Sequence, residues 1–458
     1  MQQRAFNDRT SWTYLAAIHG LNLGGWIGAG ILPPAPPMPP QPEQATVWNQ
    51  CQHSGWYFLP WHRGYVAAFE SIVAATVAQL GGPKDWALPY WNYLGSSPTA
   101  RNYPQAFVDS TTPDGVANPL RIAQRGPGTV LGPKPWIPRD IDCSAMNYHR
   151  FTSAAGTLGF GGGQTGFAHF DNSAGSEELN PHNRVHVMVG GPDPGPTGFM
   201  GDPNYAALDP IFWIHHCNID RMWAAWLTVP GNIQESGADW SNGPRPRQFM
   251  MPDPARNLKV FTPGQTLPGQ PLAPTYDSLA GACIAALPAG VDDEDGAMPA
   301  TLSDSPPPEA SLVGASSDSV TVGGAEGAAT TVTFAPEEAL PAGDPVEQRL
   351  FLNLENVRGA APSGVLNVYV SPDSGGDPIL ADTVALFGLQ KASDPDTGHN
   401  GLSVAIDITD LARSLVAQGD TDLAGLNVRI EQPVENPGEP ITVDRVSVYR
   451  QPVDDAAG

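Results

Sequence analysis

Ten histidines are spread along the chain, and six of them fall into two spaced sets. The first set is His19, His53 and His62, the last two inside CQHSGWYFLPWHRGYVAAFE. The second is His182 and His186 in NPHNRVHVMVGG, with His216 in DPIFWIHHCNIDRMW. His182 and His186 are four apart, so on a helix they share a face and can converge on one metal ion. His62 and His216 lie in apolar, aromatic-rich stretches that read as buried helices. A single buried histidine is usually a hydrogen-bonded core residue, but three plus three within aromatic walls is hard to explain as core. Imidazole suits Zn, Cu, Fe and Ni alike. The Glu-x-x-His motifs of carboxylate-bridged di-iron sites are missing from the sequence, as is the His-Glu-x-x-His motif of zinc hydrolases. An imidazole-only set without carboxylates or thiolates favours copper.

These three segments resemble the paired copper-binding signatures of the type 3 dicopper family: tyrosinases, catechol oxidases (polyphenol oxidases) and molluscan hemocyanins. The likeness covers roughly residues 10–230. It implies two copper ions, CuA held by His19, His53 and His62, and CuB by His182, His186 and His216, with O₂ as co-substrate. The local sequence of His19, AAIHGLN, is the least distinctive of the six. In the pair His215-His216 the family uses the second histidine, which leaves His215 beside the site. His149, His169 and His399 are read as background, and Cys217 as packing. Cys51 stands two before His53, similar to the Cys-x-His of fungal tyrosinases, and the likeness implies a thioether between Cys51 and His53. Glu178 and Asn183 flank His182. In proteins of similar pattern such a pair holds the water that takes the proton of a monophenol, a role a carboxylate and an amide can share. Asn218, Asp220, Arg221 and Arg63 are assigned to hydrogen bonding around the ligands. The expected function is an oxidase converting phenols or o-diphenols to o-quinones. The narrower alternative is a catechol or o-aminophenol oxidase without monophenol hydroxylation. A hemocyanin-like O₂ carrier is disfavoured, because the chain has one copper pair and one tail.

The elements that must position these residues follow from periodicity and punctuation. Residues 10–24 read as a helix ending at Gly24 and Gly25, and His62–Leu80 as a helix stopped by Gly81, Gly82 and Pro83. A helical stretch begins near Pro181, with proline suited to a first turn, and another runs from Pro210 through Trp226. The segment 31–44 is a Pro-rich loop, and 95–175, rich in Gly, Pro, Asn and Ser, is irregular. Near 285–310 the composition becomes acidic and Pro-rich, as in a linker. Beyond it, β-prone runs recur at Ser319–Val322, Thr330–Phe334, Arg349–Leu354, Val365–Val370, Leu402–Ile408, Leu426–Ile430 and Ile441–Tyr449. Only Asp410–Val416 looks helical there.

The fold class expected is therefore multidomain α and β. A mainly α-helical dicopper core with a four-helix-bundle site spans 1–288, an acidic linker 289–312, and an all-β sandwich or barrel-like domain 313–458. The stretch SVAIDITDLARSL, with later apolar runs ending in VDRVSVY, resembles the C-terminal domain of plant polyphenol oxidases and hemocyanins. That likeness implies a lid that pushes a side chain into the copper-site mouth, and a latent enzyme activated by a protease. The turn near Phe387 is the place guessed for the plug.

Charge separates the same two regions. Of a net −24, the part from Val291 onward carries −21 and residues 1–290 only −3. An acidic surface repels nucleic acid and anionic membrane, so neither is expected as a partner; a phenolic small molecule is. No run approaches the roughly 18–20 apolar residues of a membrane span. No signal peptide is visible at the N-terminus, which favours a cytoplasmic setting. Four cysteines are too few for a disulfide scaffold, and nothing in the sequence sets the oligomeric state.

Overall fold

The computed structural model describes residues 1–453 apart from 126–130, 132–139, 192–197, 284–299, 324–326, 342–347, 396–399, 419–421 and 434–438. His399 and residues 289–299 of the expected linker therefore lie outside the described residues.

Two long helices dominate the first part. Phe58–Gln79 carries His62, and Ile211–Trp226 carries His215 and His216. Both are apolar around most of their circumference near the histidines, so both are buried there. They are joined behind the histidines by a buried ion pair between Arg63 and Asp220. Arg63 also lies 3.7 Å over the Trp223 ring, and Tyr276 Oη donates to Asp220 at 2.5 Å. A charge pair this deep costs desolvation, which the added hydrogen bonds offset.

The first helix is shorter than its periodicity predicts: it covers Trp12–His19, and a separate helix follows at Leu23–Gly28. The chain breaks at Gly20 because a side chain there would lie 2.4 Å from the Pro203 carbonyl oxygen, and Asn22 then caps the next turn. The Pro-rich loop also ends in a short helix, Gln41–Val47. Around Pro181 the backbone forms a widened turn over Glu178–Asn183 before the regular helix Arg184–Gly190.

The second part is a nine-stranded sheet. Along its path the strands are Ile379–Ala385, Val365–Pro372, Gly425–Glu431, Ala328–Phe334, Ser311–Ala315, Ile441–Gln451, Arg349–Arg358 and Leu402–Asp407, with Val320–Val322 on Ile441–Gln451. The two end strands approach each other, so the sheet curls into a nearly closed barrel. Alternation shows directly in Leu402–Asp407, where Leu402, Val404 and Ile406 are buried and their neighbours are not. The seven β-prone runs and the helix Thr409–Gln418 are all present, together with a short helix, Leu389–Ala392, that was not anticipated. The strands Ser311–Ala315 and Ile379–Ala385 were not anticipated; Gly314 in one and Asp382 in the other dilute the apolar signal. Within the segment read as linker, Thr301–Ser303 forms a parallel strand against Ile233–Glu235 of the first domain.

The barrel rests on the helical part through specific contacts. Arg184 pairs with Asp382 at 2.6 Å, and Tyr148 donates to Asp407 at 3.3 Å. Asn353 donates to the Gly156 carbonyl at 2.8 Å. A Cys143–Cys283 disulfide closes a separation of 140 residues at the end of the first domain. Among the described residues no helix is long and apolar enough to cross a membrane.

Candidate metal centre

All six histidines singled out in the sequence come together, and all are buried. In the first triad the ring centroids of His19, His53 and His62 are 5.3–5.8 Å apart. In the second, those of His182, His186 and His216 are 4.5–5.5 Å apart. The triads face each other, with His62 stacked on His216 at 4.4 Å and His53 5.8 Å from His182.

The hydrogen bonding separates the two nitrogens of five of the six rings, the exception being His216, whose Nδ1 has no hydrogen-bond partner. His19 Nδ1 donates to the Pro203 carbonyl at 2.9 Å, His62 to Phe58 at 2.8 Å, and His186 to Met200 at 2.8 Å. His182 Nδ1 donates to Asn183 Oδ1 at 2.9 Å, and His53 Nδ1 to the His169 carbonyl at 3.3 Å. The Nε2 atoms of His19, His53, His62 and His182 have no hydrogen-bond partner although they are buried. A buried ring nitrogen left bare is costly unless something binds it. A ring tethered through Nδ1 with Nε2 free is how proteins orient metal-bound imidazoles. His186 Nε2 and His216 Nε2 lie 3.3 Å apart. That matches the edge of about 3.3 Å expected for two tetrahedral ligands at about 2.0 Å from one metal ion.

Burial, with neighbouring imidazoles adding to it, holds His19, His53, His182 and His216 well below the usual histidine range. Burial also takes His62 and His186 down to about 3. The rings are thus neutral, the form that ligates a metal. The donor set fits copper.

His215 was left beside the site in the sequence reading, yet it shares the ligand signature. Its Nδ1 meets the Tyr93 hydroxyl at 3.1 Å and its Nε2 is bare. One potential ligand atom each from His182, His186, His215 and His216 lie within 4.8 Å of one another. His169, read as background, is also adjacent. Cys51 Sγ is 2.8 Å from His169 Nδ1 and 3.4 Å from His53 Nδ1, so the ring nearest the sulfur is His169 rather than the expected His53. Separation in sequence hid this contact, since only Cys51 and His53 are neighbours along the chain.

Glu178 is fully buried and accepts from the Ser54 backbone N–H with both oxygens, at 2.7 and 2.9 Å. Burial outweighs that bond and pushes its carboxyl up to about 8. Asn183 is engaged through Oδ1 with His182. Glu177, which the sequence reading passed over, is also buried, and neither of its oxygens has a hydrogen-bond partner. Burial pushes its carboxyl well up, so it is held neutral.

One side chain of the barrel reaches the centre. Phe387 is buried and stacks on His186 at 4.1 Å, with His53 at 5.7 Å and His182 at 5.9 Å. It is delivered by a turn whose next residue, Gly388, is left-handed (φ +80); a side chain there would strike Phe170 at 2.0 Å. Phe170 in turn stacks on His53 at 4.5 Å.

Comparison with known proteins agrees with this arrangement. Residues 9–229 match the family model described as the common central domain of tyrosinase, and residues 309–451 match a domain of unknown function, DUF7868. The tyrosinase HcTyr1 of Hahella sp. (strain CCB-MM4) is 34% identical over 98% of this chain and 94% of its own length. A chloroplastic polyphenol oxidase of Vitis vinifera is 34% identical over 41% of this chain and 32% of its own length. A solved latent aurone synthase (polyphenol oxidase) shares the fold, with TM-score 0.57 and 19% identity, over 99% of this chain and 85% of that one. Latent apple tyrosinase does so with TM-score 0.56 and 19% identity, over 98% and 92%.

Proposed function

We infer, for a chain that belongs to the tyrosinase family, a type 3 copper phenol oxidase held latent by its own β-barrel. The reading rests on one observation above all: two facing imidazole triads, five of their six rings tethered through Nδ1, with four Nε2 atoms bare inside the protein. His19, His53 and His62 would hold CuA, and His182, His186 and His216 would hold CuB. The copper pair supplies the O₂ chemistry and accepts the substrate's electrons; the protein orients the ligands, seats the phenol and handles its protons.

Phe387 occupies the space a phenol ring needs against His186. Latency follows, because substrate and plug cannot share that position. A protease cut between the domains is one route to release, and removal of the aromatic ring is another. The test is oxidation of catechol by the copper-loaded full chain and by Phe387→Ala. The variant should turn over faster with the same copper content. A protein carrying two coppers that oxidises no catechol in either form would sink the assignment.

For monophenols, the family likeness assigns the phenolic proton to Glu178 and Asn183, which lie beside the ligands His53 and His182 through Ser54 and His182 itself. A carboxyl raised to about 8 is a stronger base than an ordinary carboxylate once ionised. The narrower reading, diphenols only, is supported by the engagement of these acceptors with Ser54 and His182. Tyramine against catechol as substrate of Phe387→Ala decides between them.

The Cys-x-His likeness supports a thioether from Cys51 to His53, and the shorter sulfur distance one to His169. Sulfur would join a ring carbon as two hydrogens leave to the copper and O₂ pair. The intact mass would then be lower by two hydrogens, and peptide fragmentation would locate the bond. A link found on His169 would move the assignment to the nearer ring. The Cys143–Cys283 disulfide supports an oxidising compartment, in contrast to the cytoplasmic setting expected from the sequence.

A further inference from the structure

The short helix Leu389–Ala392, directly after the turn that delivers Phe387, carries a cation. Lys391 lies four residues on, partly buried, and its Nζ donates to Asn204 Oδ1 at 2.8 Å and to Asn49 Oδ1 at 3.3 Å. Both asparagines belong to the helical domain, and both border the segment that holds His19.

Asn204 directly follows Pro203, whose carbonyl accepts the Nδ1–H of His19. Asn49 is tied to the His19 helix by its own N–H, which donates to the Ala17 carbonyl at 3.1 Å. Gln50 N–H then donates to the Ile18 carbonyl at 3.0 Å. Asn49 Oδ1 also accepts from Leu21 N–H at 2.8 Å, just beyond the helix end. From Asn49 the chain runs on through Cys51 to His53. One ammonium therefore ties together three segments: the end of the His19 helix, the strand of chain leading to His53, and the loop that orients His19. His19 is itself the last residue of an eight-residue helix, and Gly20 after it is extended. Helix ends open more readily than helix middles. His62 and His216 sit inside long helices and need no such support.

We propose that Lys391 is a positioning residue for His19, so that the docked barrel tightens the first copper site while Phe387 closes it. The proposal rests on the reading of His19 as a CuA ligand. In this account the latent form keeps its copper securely, and undocking opens the mouth and loosens CuA together. Site closure and copper retention are two outputs of one turn and the short helix after it, carried by two different side chains.

The test uses the intact, copper-loaded chain and a colorimetric copper(I) chelator, bicinchoninate, under reducing conditions. Lys391→Met should release one of its two coppers about tenfold faster than wild type, the scale seen when partners behind a ligand are lost. The other copper should leave at the wild-type rate. Lys391→Arg should restore part of the retention. Asn204→Ala, which removes the acceptor and keeps the lysine, should reproduce the single fast phase if Lys391→Met fails to fold. Wild-type release from both Lys391→Met and Asn204→Ala would overturn the proposal, as would equal acceleration of both coppers. Failure of Phe387→Ala to gain activity would count against latency and leave the copper result untouched.

Discussion

The helical domain and the barrel present opposite cases of how a site is encoded. In the helical domain the functional atoms follow from local structure: His182 and His186 share a face because they are four apart, and His62 and His216 lie on helices written in continuous apolar sequence. In the barrel the residues proposed to act are single ones, Phe387 on a turn and Lys391 on the short helix Leu389–Ala392 after it, with no motif around them. Their importance comes from where the sheet places that turn. Chemistry is therefore concentrated in patterns a reader can find, while control is carried by contacts that only folding creates.

The largest way to break this contrast is through a copper ligand. His186→Ala removes a ring whose Nε2 lies 3.3 Å from that of His216. It should abolish catechol oxidation and bring bound copper down to one per chain, measured by metal analysis. Phe387→Ala tests the opposite region and should raise catechol turnover by about tenfold or more, as the competent fraction increases. Unchanged turnover would mean that the barrel does not gate the site.

Stability effects come next. Asp220→Ala leaves Arg63 buried without its carboxylate, an uncompensated charge that costs about 3–5 kcal/mol. Chemical unfolding of the helical domain should register that loss. A value under about 1 kcal/mol would show that the pair is not what joins the two ligand helices. Reducing the Cys143–Cys283 disulfide, or Cys143→Ser, should cost about 2–5 kcal/mol in the same measurement.

The smallest effect is a pH dependence. Glu178 has its folded-state carboxyl raised to about 8 from the ordinary value of 4.5. The unfolded chain therefore releases this proton first as pH rises. This group by itself takes stability from the copper-free protein between about pH 4.5 and 8, with a slope of up to about 1.4 kcal/mol per pH unit, while the buried histidines add stability as pH rises to about 6.5. Glu178→Gln should remove that slope, so its advantage over wild type should grow with pH through the window and level off above 8. An advantage that is constant with pH would show that the group is not buried as described.

Much of the centre was legible because imidazoles at helical spacing leave a mark in the sequence. His19 was the hardest of the six to read, since its neighbours AAIHGLN have no distinctive pattern; its place is set by the Pro203 carbonyl, 184 residues away. His169 was read as background, and His215 was left beside the site because the family resemblance favours the second histidine of the pair. One meets Cys51 only after folding, and the other is held by Tyr93, 122 residues away. In the barrel, alternating runs such as Leu402–Asp407 gave their strands away, whereas Ile379–Ala385, with Asp382 aimed at Arg184, did not. The first helix ended earlier than its periodicity implied because Gly20 answers to a distant carbonyl and not to its neighbours.

The central claim is most directly tested by the copper content of the purified full chain at saturation, compared with that of His62→Ala and His186→Ala. Two coppers in the parent and one in each single variant are the predicted result. A parent that binds no copper, or variants that still bind two, would contradict the two-triad centre.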